Sequence, residues 1–170
     1  MRPLRRLDRR LASWATQQLR SPAARRVAAI LAHTGDSVLC LVVGLAAWLG
    51  TRGLGPTLGR RLFTAALCSS LVSLALKSLF RRNRPTVERG NFYLALDRHS
   101  FPSGHATRSA GVIVALWPLL PGVVRGGLLL WSVILNACRI GLGLHFPSDV
   151  VAGLAIGSAI GLLLRRVGLC

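Results

Sequence analysis

Five apolar stretches occupy most of the chain, at residues 27–49, 60–80, 104–120, 123–141 and 147–164. A helix crosses the hydrocarbon core of a bilayer with roughly 20 residues, within a range of about 17–25. Only a helix or a closed barrel satisfies its own backbone there. The stretches therefore predict an all-α fold, an integral-membrane helical bundle of about five transmembrane helices. The last stretch is short for a crossing, and Arg108 and Arg125 lie near segment ends, where a long side chain snorkels to the interface. With 52% hydrophobic and 16% charged residues, the composition is too apolar for a soluble domain. Gly50, Gly53, Gly55 and Pro56 break the chain after the first stretch, and Pro118, Pro121 and Gly122 after the third. Gly153, Gly157 and Gly161 fall on one face of the last helix, where another helix backbone approaches closely, within one chain or between two.

Charge is lopsided, with 22 Lys and Arg against 5 Asp and Glu and a net charge of +17. Such an excess suits nucleic acid, anionic lipid or a phosphate-bearing substrate. In so apolar a chain it argues against nucleic acid and for anionic membrane lipids as partners. Residues 1–26 form a basic arm. Leu4, Leu7, Leu11, Trp14 and Leu19 recur at near-helical spacing, with Arg5, Arg6, Arg9 and Arg10 between them. This predicts an amphipathic interfacial helix, the alternative being a solvated, frayed arm. The arm lacks the early apolar core and cleavage site of a signal peptide. The expected organisation is one domain over 1–170, with the arm at 1–26, the bundle at 27–164 and active-site loops at 77–105 and 139–149. Cys40, Cys68, Cys138 and Cys170 form no CxxC pair and read as small apolar residues. Five crossings put sixteen of the 22 basic residues on the side carrying the N-terminus and the loops at 81–103 and 140–147. The positive-inside rule makes that side cytoplasmic.

Three polar clusters share that side. Lys77 sits one turn from the end of the second stretch, where a charge is costly unless it faces a polar cavity. Arg84 precedes Pro85, which holds it in an extended turn, and Arg139 ends the fourth stretch. Together these three cations can grip one phosphate, the arginines two oxygens each. Taken alone, Arg81 and Arg82 read as interfacial anchors. Pro102-Ser103-Gly104-His105 reads as a helix start. Ser103 caps, Gly104 admits a ligand to the backbone, and the free N–H groups of the first turn bind an anion. His145 and Asp149 lie four apart, so that Asp149 can accept from Nδ1 and leave Nε2 nucleophilic. His145 then attacks phosphorus, His105 protonates the leaving oxygen and activates water, and Lys77, Arg84, Arg139 and the helix amides stabilise the non-bridging oxygens. No metal and no cofactor are expected, and a Zn site at His105, His145 and Asp149 would be electrostatically poor among so many cations. His33 and Asp36 form either a polar contact inside the bundle or part of a cavity wall. His99 reads as a loop residue near the cavity mouth.

These motifs resemble the type 2 phosphatidic acid phosphatase family, related to vanadium haloperoxidases and bacterial acid phosphatases. The family pattern Lys-x6-Arg-Pro, Pro-Ser-Gly-His and Ser-Arg-x5-His-x3-Asp stands here as Lys77…Arg84-Pro85, Pro102–His105 and Cys138-Arg139…His145…Asp149. The resemblance implies a helical bundle, phosphate held by Lys77, Arg84, Ser103, Gly104 and Arg139, and catalysis by His105, His145 and Asp149. Two departures stand out: Cys138 replaces the usual Ser, and the first crossing of larger relatives is replaced by the arm, which turns the site to the cytoplasm. The expected function is a metal-independent lipid phosphatase of the inner membrane, multi-pass and acting through a phosphohistidine. Its substrate would be a lipid phosphate monoester such as phosphatidylglycerol phosphate, phosphatidic acid or a polyprenyl-phosphate sugar 5-phosphate. The alternatives are an undecaprenyl diphosphate phosphatase and a non-catalytic protein that binds anionic lipid.

Overall fold

A computed structural model describes residues 2–85 and 99–169, with side chains from Arg5 onward. Residues 86–98 of the first expected active-site loop, including Arg89 and Arg98, lie outside the described residues, as do Cys170 and the side chains of Arg2 and Leu4. The described residues form seven α-helices: α1 (Arg2–Gln18), α2 (Pro22–His33), α3 (Ser37–Gly50), α4 (Gly55–Phe80), α5 (Gly104–Leu116), α6 (Gly122–Gly141) and α7 (Pro147–Arg166). No strand occurs among them.

Local chemistry sets the ends of these helices. Ser21 caps α2 by accepting the Ala24 N–H at 3.0 Å, with Pro22 in the first turn. Residues 22–26 of the expected arm therefore belong to α2. Arg81 takes a left-handed conformation (φ 46°) and closes α4, its N–H returning to the Lys77 carbonyl. Pro121 precedes α6, after a 3₁₀ turn at Trp117–Leu119.

Helices α4, α6 and α7 are each long and apolar enough to cross a membrane, and α2 with α3 makes a fourth such unit bent by 42°. The chain is thus a multi-pass membrane protein, and two of the five expected crossings differ from a simple span. The stretch at 27–49 is not continuous: it breaks at Thr34-Gly35-Asp36. Trp131 on α6 donates to Thr34 Oγ1 at 2.9 Å and Arg108 donates twice to the Gly35 carbonyl, so the break is held from two helices. The stretch at 104–120 yields 13 helical residues, about 20 Å at 1.5 Å per residue, less than a bilayer's hydrocarbon core. All but one of the residues of α5 are buried. It is the central post of the bundle, not a lipid-facing span.

The glycine face of α7 makes that burial possible. A Cβ at Gly157 would lie 2.0 Å from the Thr107 carbonyl oxygen, and one at Gly153 or Gly161 would lie 2.7 Å from the Ser103 or Gly111 oxygen. The face therefore packs within one chain, against α5. Helix α1 leaves Leu7, Leu11 and Trp14 exposed while Asp8 and Ala12 are buried against the bundle. Leu7 and Leu11 line a cleft between α1 and the bundle, and Trp14 is the most exposed of the three.

Gly157→Leu should lower the detergent-solubilised melting temperature by several degrees, since overpacking costs about 1–3 kcal/mol or more. Gly127→Leu, at a position where a Cβ would meet nothing within 4 Å, should melt within about a degree of the parent.

Candidate functional site

The turn after α6 builds the first half of the site. Leu142 and Leu144 donate backbone bonds to Cys138 and Arg139, with Gly143 at φ 73°, so the chain doubles back over the end of its own helix. His145 is thereby set against Arg139, with Nη2 of the arginine 3.5 Å from Nε2. Arg84 Nη1 donates to the Leu144 carbonyl at 3.1 Å, fastening the residue before His145 to the segment that follows α4. His145 is fully buried. Its Nδ1 lies 2.8 Å from the Ser100 carbonyl, and because a carbonyl only accepts, Nδ1 carries the proton and Nε2 the lone pair.

That contact corrects the expected role of Asp149. Its Oδ2 is 3.9 Å from His145 Nδ1, beyond hydrogen-bond range. Its oxygens are committed elsewhere: Oδ2 accepts the Phe146 N–H at 2.8 Å and Oδ1 accepts from Arg82 at 2.7 Å. Asp149 therefore fixes the start of α7, and the Ser100 carbonyl orients the imidazole. Ser100 is itself pinned by its N–H to the Arg82 carbonyl at 2.8 Å and its hydroxyl to the Asn83 carbonyl at 3.1 Å.

Helix α5 supplies the second half. Ser103 caps it, accepting from Ala106, and the Ser103 N–H donates to the Asp149 carbonyl at 3.0 Å, joining the starts of α5 and α7. A Cβ at Gly104 would lie 3.2 Å from Ser73 Oγ and 3.8 Å from Lys77 Nζ, so the lysine reaches the first turn of α5 from α4. His105 points its Nε2 at Asp36 Oδ1, 2.9 Å away. Lys77, Arg84, Ser103, His105, Arg139 and His145 are all buried. Burial first, then Arg139, Arg84 and Lys77, hold the His145 imidazole well below its ordinary value. Three cations from three parts of the chain thus act on one neutral imidazole.

Several residues of this region were misread or missed. Arg82 is no interfacial anchor. It donates to Asp8 at 2.6 Å, to Asp149 and to Ser148, and lies 4.3 Å from the Phe146 ring centroid. Asp8 also accepts from the Ser148 N–H at 3.0 Å. Burial alone would raise the Asp8 carboxyl, but the bonds from Ser148 and Arg82 outweigh it and hold it below its ordinary value. The arm is thus tied to the site by an ion-pair network. Arg108 does not snorkel; it is buried and holds Gly35. Asp36 bridges His33 and His105. His99 is half-buried, its Nδ1 without a partner among the described residues. Beside the site, a cleft of about 1720 Å³ opens between α1 and the bundle, lined by Leu11, Phe80, Phe101 and Phe146 together with Arg5 and Arg84.

A polytopic helical membrane protein with two imidazoles and three cations gathered at one end of its bundle is a narrow structural class. Residues 58–168 match the PAP2 superfamily, and the chain belongs to it. Among its relatives is the lipid A 1-phosphatase of Rhizobium etli, 36% identical over 113 residues, covering 62% of this chain and 48% of that protein. Another is the decaprenylphosphoryl-5-phosphoribose phosphatase of Mycobacterium tuberculosis, 32% identical over 106 residues, covering 61% and 57%. The chain spans about half the length of these curated relatives. Among solved structures, the PAP2-type phosphatidylglycerolphosphate phosphatase of Bacillus subtilis superposes with a TM-score of 0.76 at 22% identity, covering 99% of this chain and 87% of that one. LpxE of Aquifex aeolicus superposes at 0.72 and 21% identity, covering 95% and 93%. At those identities the two structures establish the shared fold.

The neutral His145 has a consequence for stability. Its folded-state value is depressed, so its contribution is present above the unfolded value near 6.5 and is lost as pH falls below it, when the unfolded chain takes up a proton that the fold refuses. Between pH 7.5 and 5.5 the parent should therefore lose about 1 kcal/mol more stability than His145→Gln, read from melting curves at the two pH values. Equal losses would contradict the buried neutral imidazole.

Proposed function

We propose that the protein is an integral-membrane lipid phosphatase that hydrolyses a phosphate monoester through a phosphohistidine at His145. The observation that carries this reading is a buried His145 whose Nδ1 is bound to the Ser100 carbonyl and whose Nε2 faces Arg139, with Arg84 and Lys77 acting on the same imidazole. A nucleophilic nitrogen ringed by cations is suited to a dianionic phosphoryl group, and binding alone would not require the imidazole. Nε2 attacks phosphorus, the P–O bond breaks, and its electron pair leaves with the oxygen, which takes a proton from His105. Water then attacks the phosphohistidine, His105 accepts its proton, and the N–P bond breaks to release phosphate. Lys77, Arg84, Arg139 and the N–H groups of the first turn of α5, capped by Ser103 and opened by Gly104, stabilise the charge on the non-bridging oxygens. Asp149 supports the chemistry by fixing the start of α7. These residues perform each step without a metal or cofactor.

The named substrates of both relatives are lipid phosphates, which supports a lipid substrate here. The apolar lining of the cleft beside the site supports a lipid tail entering alongside the head group. Phosphatidylglycerol phosphate, phosphatidic acid and a polyprenyl-phosphate sugar 5-phosphate fit that description. The distribution of basic residues supports an inner-membrane protein with its site and α1 on the cytoplasmic face, among anionic lipids.

Purified protein should release phosphate from a dispersed lipid phosphate monoester. His145→Ala should lower the rate at least 10³-fold and Arg139→Ala about 10²–10³-fold, with Cys138→Ser near the parent rate. An active His145→Ala variant would defeat the mechanism. Cysteines placed at 143 and 52 should be labelled from opposite sides in intact cells, with an impermeant reagent reaching only the second.

A further inference from the structure

Asp36 belongs to no motif of the site, yet it lies at its edge. The break between α2 and α3 places it there, and that break is itself clamped by Arg108 and Trp131. Its two oxygens serve two imidazoles: Oδ2 takes His33 Nδ1 at 2.7 Å and Oδ1 takes His105 Nε2 at 2.9 Å. His33 is exposed, Asp36 half-buried and His105 buried, so the three step from solvent to the site. Arg139 and Arg108 both act on His105, and Asp36 is the one carboxylate that contacts its ring among the described residues. An imidazole acts as a general acid only when doubly protonated and so positively charged, and these arginines oppose that charge.

We propose that Asp36, anchored by His33, is a positioning residue for the acid step: it grips His105 through Nε2 and balances the charge the ring carries until its other N–H, on Nδ1, passes to the leaving oxygen. The inference rests on the reading of His105 as the acid. Nδ1 has no partner among the described residues, which leaves it available for that transfer. The P–O electron pair goes to the departing oxygen, the Nδ1 proton joins it to give the alcohol, and the neutral ring, still held by Asp36, then accepts the proton of the attacking water.

Leaving-group dependence separates this role from a structural one. An alkyl lipid phosphate expels a basic alkoxide and needs the acid, whereas an aryl phosphate such as p-nitrophenyl phosphate expels a stable phenolate and does not. Asp36→Asn should lower kcat/KM, which leaves out the water step common to both substrates, about 10²-fold on the alkyl substrate while changing the aryl value no more than about 3-fold. Both rates come from one preparation, so a partly unfolded sample leaves their ratio unchanged. His33→Gln, at an exposed position, should shift the same ratio in the same direction by about 3-fold, and it decides the matter if Asp36→Asn does not fold. In a His105→Ala background, Asp36→Asn should add no further loss on the alkyl substrate. Equal losses on both substrates, an unchanged ratio in His33→Gln, or full additivity with His105→Ala would overturn the role of Asp36. If His105→Ala itself lowered kcat/KM equally on both substrates, the assignment of His105 as the acid would fail instead.

Discussion

The seam between α5 and α7 is the contact on which the polar centre depends. Three glycines on α7 let its backbone meet the backbone of α5 at distances no side chain would allow. At the top of that seam the Ser103 N–H bonds to the Asp149 carbonyl. The first turn of α5, carrying His105, is therefore registered against the first turn of α7, which follows directly on His145. Two histidines forty residues apart in sequence become neighbours because two helices start at the same level. Packing density at a small-residue seam fixes such a register more firmly than a hydrogen bond between flexible side chains.

Around this seam the structure concentrates positive charge and then disperses it through specific partners. Arg84 is spent partly on the Leu144 carbonyl, Arg108 on Gly35, and Arg82 on Asp8 and Asp149. Acidic residues are scarce, and each of Asp8, Asp36 and Asp149 joins two or more parts of the chain. The amphipathic arm is fastened by the same network. Helix α1 thus forms one wall of the cleft beside the site and does not lie independently on the membrane.

The sequence made the helical class, the polar clusters and the helix starts legible, because apolar run length and capping chemistry are local properties. The cap at Ser103 and the helix carrying Leu7, Leu11 and Trp14 stand where spacing placed them. What the sequence left hidden was long-range. Arg82 looked like its neighbour Arg81, and only the fold brings Asp8 to it across 74 positions. The His145–Asp149 spacing suggested a direct bond, but Asp149 satisfies the backbone of its own helix start first, and a main-chain carbonyl with no sequence signature takes its place. His33 and Asp36 were visible as polar residues in an apolar run, yet the break beside them and its partners on α5 and α6 were not.

The depth of Lys77 within α4 has a consequence of its own. Lys77 reaches the start of α5 from one turn inside α4, not from its tip. The polar centre is consequently recessed, about 5 Å below the rim set by the longest helix. With the proposed activity, a head group would sink to reach it, and the severed alcohol would stay dissolved among the acyl chains. Orthophosphate alone would cross into water, so the bilayer itself would retain one product and shed the other.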